Sequence, residues 1–221
     1  MKYPIAEHFV SINGEGQKAG MLAVFLRFPG CNLACSYCDT AWANEVSCPR
    51  EEMELEEILS YVRETGVKNV TVTGGEPLLQ PEMDKLFTAL CQIPDLAVEV
   101  ETNGSICLAR FQSITPKVSF TMDYKLPDSG MEDQMCHANL SLLRNKDTLK
   151  LVCGSREDLQ RAKELIENEK ISDCVPIYLS PVFGKLEGVD IVEFMKTYRL
   201  GRVKLQLQLH KFIWPPDRKG V

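Results

Sequence analysis

The feature that most constrains this chain is a conflict between the order of its segments and the polarity of its strands. Strand-like segments at Leu22–Phe28, 69–73, 96–101, 117–125, 149–153, 177–179 and 203–209 alternate with helix-like ones. Leu55, Ile58, Leu59 and Val62 recur at helical spacing before Gly66, and Met83, Leu86, Phe87 and Leu90 mark a second helix. Ser155 opens a third, with Asp158 three residues on as in a capping box, burying Leu159, Ala162, Leu165 and Ile166; residues 190–198 form a fourth. Such alternation argues for a parallel sheet with helical crossovers. Parallel strands covered on both faces read as nearly continuous apolar runs. These do not. One face carries Val24 and Leu26, Val70 and Val72, Val98 and Val100, Val118, Phe120 and Met122. The other carries Arg27, Thr71 and Thr73, Glu99 and Glu101, Ser119, Thr121 and Asp123, Lys150, then Gln206, Gln208 and His210.

An open barrel resolves the conflict, with helices outside and a polar lumen inside. A complete eight-fold barrel fills its lumen with branched apolar residues. The expectation is therefore an α/β fold, a partial TIM-like barrel whose lumen is the active site. Its length of 221 residues suits one domain over 1–221. Residues 126–136 read as a surface loop.

The composition, 44% hydrophobic and 25% charged, is that of a globular protein. No apolar run approaches the ~20 residues that cross a bilayer, and the N-terminal residues lack a signal-peptide core. A cytoplasmic location with no membrane contact is expected. The net charge of −6 argues against nucleic acid as the main partner. Nine cysteines without a secretory signal favour metal or redox chemistry over disulfides.

Three cysteines stand together in Gly30-Cys31-Asn32-Leu33-Ala34-Cys35-Ser36-Tyr37-Cys38-Asp39, directly after a strand. Chemistry in barrels sits on such loops. Three thiolates can each take a different iron of a [4Fe–4S] cluster and leave one iron open. The amino and carboxylate groups of S-adenosylmethionine (SAM) fit that position, and an electron from the cluster then yields a 5′-deoxyadenosyl radical. A structural zinc site would want a second pair of ligands, and none is spaced for it. Cys48, Cys91, Cys107, Cys136, Cys153 and Cys174 are isolated and read as packing residues. The turn Thr73-Gly74-Gly75-Glu76-Pro77 allows close backbone approach, and Glu76 with nearby carbonyls can accept from the SAM ammonium.

The cysteine spacing and this turn resemble the radical SAM superfamily. Asn13-Gly14-Glu15-Gly16, Glu101-Thr102-Asn103-Gly104 and Gln208-Leu209-His210-Lys211 narrow the resemblance to the 7-carboxy-7-deazaguanine synthases, over residues 3–221. The resemblance implies a homodimeric lyase of queuosine and related deazapurine biosynthesis. It would convert 6-carboxy-5,6,7,8-tetrahydropterin to 7-carboxy-7-deazaguanine with loss of ammonia, using the cluster, SAM and Mg²⁺. A flavodoxin- or ferredoxin-type donor would supply the electron.

The resemblance also implies site residues. For the pterin these are Ile12, Asn13, Gly14, Glu15, Arg27, Thr73, His210 and the carboxylate of Val221; for SAM they are Tyr37, Cys38, Asp39, Gly75, the stretch Asp123, Tyr124 and Lys125, and Ser180; for Mg²⁺ it is Thr40. Arg27 suits a bidentate clamp on a carboxylate, or else a surface ion pair. Thr40 reads equally as a helix N-cap. Lys150 can pair with the methionyl carboxylate, and Asp123 can accept from the SAM ribose or ammonium. Many family members have Gln in place of Asn13, Ser-Pro-Lys in place of Asp123-Tyr124-Lys125, and Gln-Pro in place of Ser180-Pro181. A glycyl-radical-enzyme activating enzyme shares the cysteine loop, but the His-bearing C-terminal stretch suits closure over a small molecule. A non-catalytic metal protein would instead show a filled coordination shell.

Overall fold

The structure, a computed structural model, describes residues 1–114, 117–216 and 218–221. Its elements in chain order are β1 (Lys2–Ile5), β2 (Glu7–Ile12), β3 (Leu22–Phe28), β4 (Glu51–Glu54), α1 (Leu55–Thr65), β5 (Asn69–Gly74), α2 (Met83–Leu90), β6 (Ala97–Thr102) and α3 (Ala109–Ile114). They continue with β7 (Ser119–Tyr124), α4 (Ala138–Leu142), β8 (Thr148–Cys153), α5 (Arg156–Asn168), β9 (Ile177–Pro181), α6 (Gly188–Tyr198), β10 (Val203–Leu205) and α7 (His210–Ile213). Eight strands form one sheet in the order β10-β9-β8-β7-β6-β5-β3-β2. All neighbours run parallel except β2, which lies antiparallel to β3. β2 and β10 are edges of this sheet and do not pair with each other, so the barrel stays open.

The period of two along each strand decides which face each side chain meets. Leu26, Val70, Val72, Val100, Phe120, Met122, Leu149, Leu151, Ile177 and Leu179 are all fully buried in one core beneath the helices. α1 contributes Ile58, Leu59 and Val62 to that core, and Gly66 ends it in the left-handed region at φ 67°. Glu54 and Glu57 close a capping box at its start. In α5 only half of the expected box forms: Ser155 accepts from the Asp158 amide. The Asp158 carboxylate is one methylene shorter than Glu and instead accepts from the amides of Asp128 and Gly154.

Three differences from the sequence reading matter for the site. First, β1, β2 and β4 were not legible. β2 is mostly half-buried and shows little alternation, and it places the residue 13–21 connection at the N-terminal end of β3. Second, β10 stops at Leu205 rather than continuing to residue 209. Gln206 still donates to the Leu179 carbonyl, but Leu209 donates to the Gly14 carbonyl, which pulls the chain out of the ladder and into α7. Third, residues 126–136 are not a plain surface loop. Two short 3₁₀ turns, Pro127–Ser129 and Glu132–Gln134, bury Leu126 and Ser129 and dock on the cysteine loop. Ser36 donates through Oγ to the Asp128 carbonyl at 2.6 Å and through its amide to the Ser129 carbonyl at 3.1 Å.

Candidate active site in the lumen

Sheet register brings the polar residues of separate strands into one cavity of about 780 Å³. Arg27 pairs in register with Thr73, Glu101 with Thr121, and Asp123 with Lys150. All six line the cavity. Cys31, Cys35 and Cys38 line its mouth, beside the connection after β3. The thiols are free. Cys31 Sγ accepts from Asn103 Nδ2 at 3.4 Å, and Asn103 itself leans on Asn32 at 3.1 Å. Burial pushes the Cys35 and Cys38 thiols up, so binding iron must displace protons from both. Among the described residues no three His, Cys, Asp or Glu gather closely enough to hold a single ion. A cubane does not require that, because each thiolate takes a different iron.

The cavity walls fit SAM as well. A β-carbon on Gly75 would stand 2.2 Å from the Gly30 carbonyl oxygen and 2.4 Å from Asn44 Oδ1, so only glycine packs there. Asp123 Oδ2 meets Lys125 Nζ at 2.9 Å and Lys150 Nζ at 3.4 Å. Burial pushes the Asp123 carboxyl up, but the two ammonium groups outweigh it and hold it below its ordinary value. Asp123 Oδ1 is buried with no partner in the structure, an acceptor waiting in the cavity. Tyr37 also lines the cavity, its hydroxyl 3.4 Å from the Val152 carbonyl. Asp39 pairs with Lys211 at 3.3 Å and accepts from Thr40 Oγ1 at 2.9 Å. Burial raises the Asp39 carboxyl, and Lys211 with Thr40 more than reverses it. Thr40 stands before a 3₁₀ turn (Ala41–Asn44) but makes no side-chain cap, so its hydroxyl faces Asp39 and the cavity.

The floor is built by the β2–β3 connection. Glu15 Oε2 meets Lys150 Nζ at 2.8 Å, and Glu15 Oε1 accepts from Ser180 at 3.3 Å. Lys150 thus stands between Glu15 and Asp123, and although burial opposes its charge, these carboxylates hold it well above its ordinary value. Burial pushes the neighbouring Glu101 carboxyl upward. His210 packs on Gly14, where a β-carbon would lie 2.5 Å from its Nδ1. Burial lowers the His210 value, against the opposing pull of Glu15 and Asp39, which favours the neutral ring. Arg27 Nε meets Glu7 Oε1 at 2.7 Å, and both residues line the cavity, so Arg27 is ion-paired and lumen-facing at once.

The structure gathers most of the sequence-derived residues. Ile12, Gly14, Glu15 and Val221 line the cavity with Tyr37, Asp39, Thr40, Gly75, Lys125 and His210. Four do not line it. Glu76 is fully buried and spends its carboxylate on the amides of Leu78 and Asn103 and on Thr102 Oγ1. Tyr124 points into the opposite face, fully buried beside His137. Ser180 is fully buried and its hydroxyl donates to Glu15. Asn13 lies behind the wall, its Oδ1 accepting from Thr71 at 2.8 Å. His210 lies on α7, not on a strand face. Sequence reasoning missed Glu7, Trp42 and Phe183, which line the cavity from segments without a motif. An acidic residue opposite Arg27 in a hairpin was the one available signal for Glu7.

Residues 25–168 match the model of the Radical SAM superfamily. A 7-carboxy-7-deazaguanine synthase of Clostridium acetobutylicum is 52% identical over 221 residues, covering 100% of each chain. The chain belongs to the 7-carboxy-7-deazaguanine synthases. A 7-carboxy-7-deazaguanine synthase of Chlorobaculum tepidum is 40% identical over 98% of this chain and 96% of its own. The fold matches the crystal structure of QueE from Escherichia coli with a TM-score of 0.70 over 94% of both chains, at 24% identity. The parallel, open-barrel α/β architecture is thus that of the radical SAM fold, and membership in this synthase family carries a cluster and SAM with it. No helix among the described residues is long and apolar enough to cross a membrane.

Proposed function

We propose that this chain converts 6-carboxy-5,6,7,8-tetrahydropterin to 7-carboxy-7-deazaguanine with release of ammonia. The observation that carries this reading is that the three thiols open on the same cavity as Arg27 and an ion-paired, polar floor. Cys31, Cys35 and Cys38 would hold the cluster, with SAM between Tyr37, Gly75, Asp123 and Lys125. Bound there, the two supply the one-electron chemistry that side chains lack.

The chain's own groups bind and orient. Arg27 gives Nε to Glu7, which leaves its two terminal amino groups for the substrate carboxylate. Thr73 lies beside Arg27 in register. Glu15 is held by Lys150 and Ser180 at the floor and accepts from the pterin's N–H edge. The neutral His210 ring closes the wall over Gly14 and can donate or accept without adding charge. Thr40 Oγ, which donates to Asp39, keeps lone pairs that would let it hold Mg²⁺. Lys211 and Lys219 of the C-terminal stretch line the mouth, Lys211 3.3 Å from Asp39 and Lys219 4.2 Å over the Trp42 ring. A second copy as partner, a low-potential flavodoxin or ferredoxin as donor, and residues 1–221 as a single domain belong to the same reading.

The test is anaerobic turnover of the cluster-reconstituted protein with SAM, Mg²⁺, a reductant and 6-carboxytetrahydropterin, followed by mass. Formation of 7-carboxy-7-deazaguanine is expected. Reductive cleavage of SAM without that product would reject the substrate.

A further inference from the structure

Beneath the floor, out of reach of the cavity, a second set of charges holds the loop that carries Glu15. Glu99 is only 5% exposed and accepts through Oε1 from Thr121 Oγ1. Lys18 Nζ stands 3.5 Å from Glu99 Oε2. Glu99 and Lys18 are absent from the cavity lining. Between Lys18 and Glu15 lies Gly16, in the left-handed region at φ 76°. A β-carbon on Gly16 would stand 3.3 Å from Glu99 Oε1 and 3.4 Å from Thr121 Oγ1, so the backbone here rests directly on the Glu99–Thr121 pair. The Gly16 amide donates to Gln206 Oε1 at 3.0 Å, and Gln17 Nε2 reaches the Asp147 carbonyl at 3.1 Å. The loop is therefore fixed from β6, β7 and the ends of β8 and β10, while Glu15 projects the other way to Lys150 and Ser180.

We infer that Lys18 and Glu99 are positioning residues for the pterin: an ion pair under the lumen, closed by charge at 3.5 Å rather than by a hydrogen bond, that helps hold the residue 14–18 loop, and so Glu15, at the height where it meets the substrate. The physical reason is leverage. Gln206 and the Asp147 carbonyl already hold residues 16 and 17, and the Lys18–Glu99 pair adds the hold on the far side of Gly16, where each residue left unordered would cost about 1–2 kcal/mol in conformational entropy on binding. Clamping the loop on both sides of Gly16 meets that cost during folding and leaves none for substrate binding. The inference rests on the reading of Glu15 as a pterin contact.

The test is steady-state kinetics of the reconstituted holoenzyme with Lys18→Met, Glu99→Gln, Lys18→Arg and, in parallel, Glu15→Gln. Lys18→Met and Glu99→Gln should raise KM for 6-carboxytetrahydropterin about tenfold, with kcat and KM for SAM within about twofold. Lys18→Arg keeps the charge and should restore the pterin KM. If Lys18→Met does not fold, Glu99→Gln carries the test, since the amide is isosteric and still accepts from Thr121. An unchanged pterin KM in Glu99→Gln, or an equal rise for SAM, overturns the inference. If Glu15→Gln alone raises the pterin KM, only the inference falls. If Glu15→Gln leaves it unchanged, the reading of Glu15 falls first.

Discussion

The two ends of the lumen are built on opposite plans. At the floor three charge pairs close within the protein: Glu15 with Lys150 and Lys150 with Asp123, and Glu99 with Lys18 by charge at 3.5 Å without a hydrogen bond. At the mouth the chemistry is left open. Cys38 is exposed, Cys31 and Cys35 are half-buried, and all three are free thiols. Asp123 spans the two, with Oδ2 engaged by lysines and Oδ1 unpartnered. A group that must bind an external cofactor cannot be satisfied internally, because displacing an existing partner would subtract from the affinity. A group that must hold a substrate at fixed height gains from being fixed beforehand. The floor should therefore be expensive to disturb in both stability and function, and the mouth in function alone.

The largest effect expected is at the mouth. Cys31→Ala, Cys35→Ala and Cys38→Ala should each abolish turnover and the visible absorption of the cluster, with thermal unfolding of the cluster-free protein nearly unchanged. A variant that lost one of these thiols and kept full activity would break the comparison at once. At the floor, Lys150→Met leaves the half-buried Glu15 without its cation, while Asp123 keeps Lys125 at 2.9 Å. It should cost about 1–3 kcal/mol, a fall in Tm of roughly 5 °C, together with turnover. A stable, inactive Lys150→Met would mean that the floor is as loosely built as the mouth.

Arg27 lies between the two plans, ion-paired yet facing the cavity. Arg27→Ala should keep the cluster and uncoupled SAM cleavage while raising KM for the carboxypterin. The rise should be roughly tenfold to a hundredfold, as for loss of a charge-assisted hydrogen bond. Equal loss of SAM cleavage would move Arg27 to the cofactor.

The last effect is one of stability against pH rather than of turnover, at the turn that packs behind the cysteine loop. Burial pushes Glu76 from 4.5 up to about 7, against the amides of Asn103 and Leu78 that favour its charged form. A carboxyl whose folded value is raised favours the folded state fully below its unfolded value and loses that contribution as pH climbs to the folded one. Relative to Glu76→Gln, the native protein should lose about 3 kcal/mol of unfolding free energy between about pH 4.5 and 7 and be level above that. A flat difference across that range would show that the buried carboxylate is already ionised at low pH.

Much of this molecule was legible in advance because the information was local. Strand alternation depends on a period of two, so Leu22–Phe28, β5 to β9 and the polar face that became the lumen could be read from neighbouring residues. The cysteine loop was legible for the same reason, since its three thiols lie within eight residues of one another. What local pattern cannot carry is which way a polar residue is spent. Glu76 reads as a free acceptor after two glycines, and only the approach of Thr102 and Asn103 from the next strand uses it up. Tyr124 is the opposite case: it faces the core because adjacent strand positions alternate, which the local pattern does carry. His210 reaches the lumen not by strand alternation but because Leu209 hydrogen-bonds to Gly14, nearly the whole chain away. By itself the sequence determined the cysteine loop, the strands β3 and β5 to β9, and their two faces. Tertiary structure alone decided which carboxylates are paired, which are free and what holds the floor, because those partners meet only when distant strands come into register.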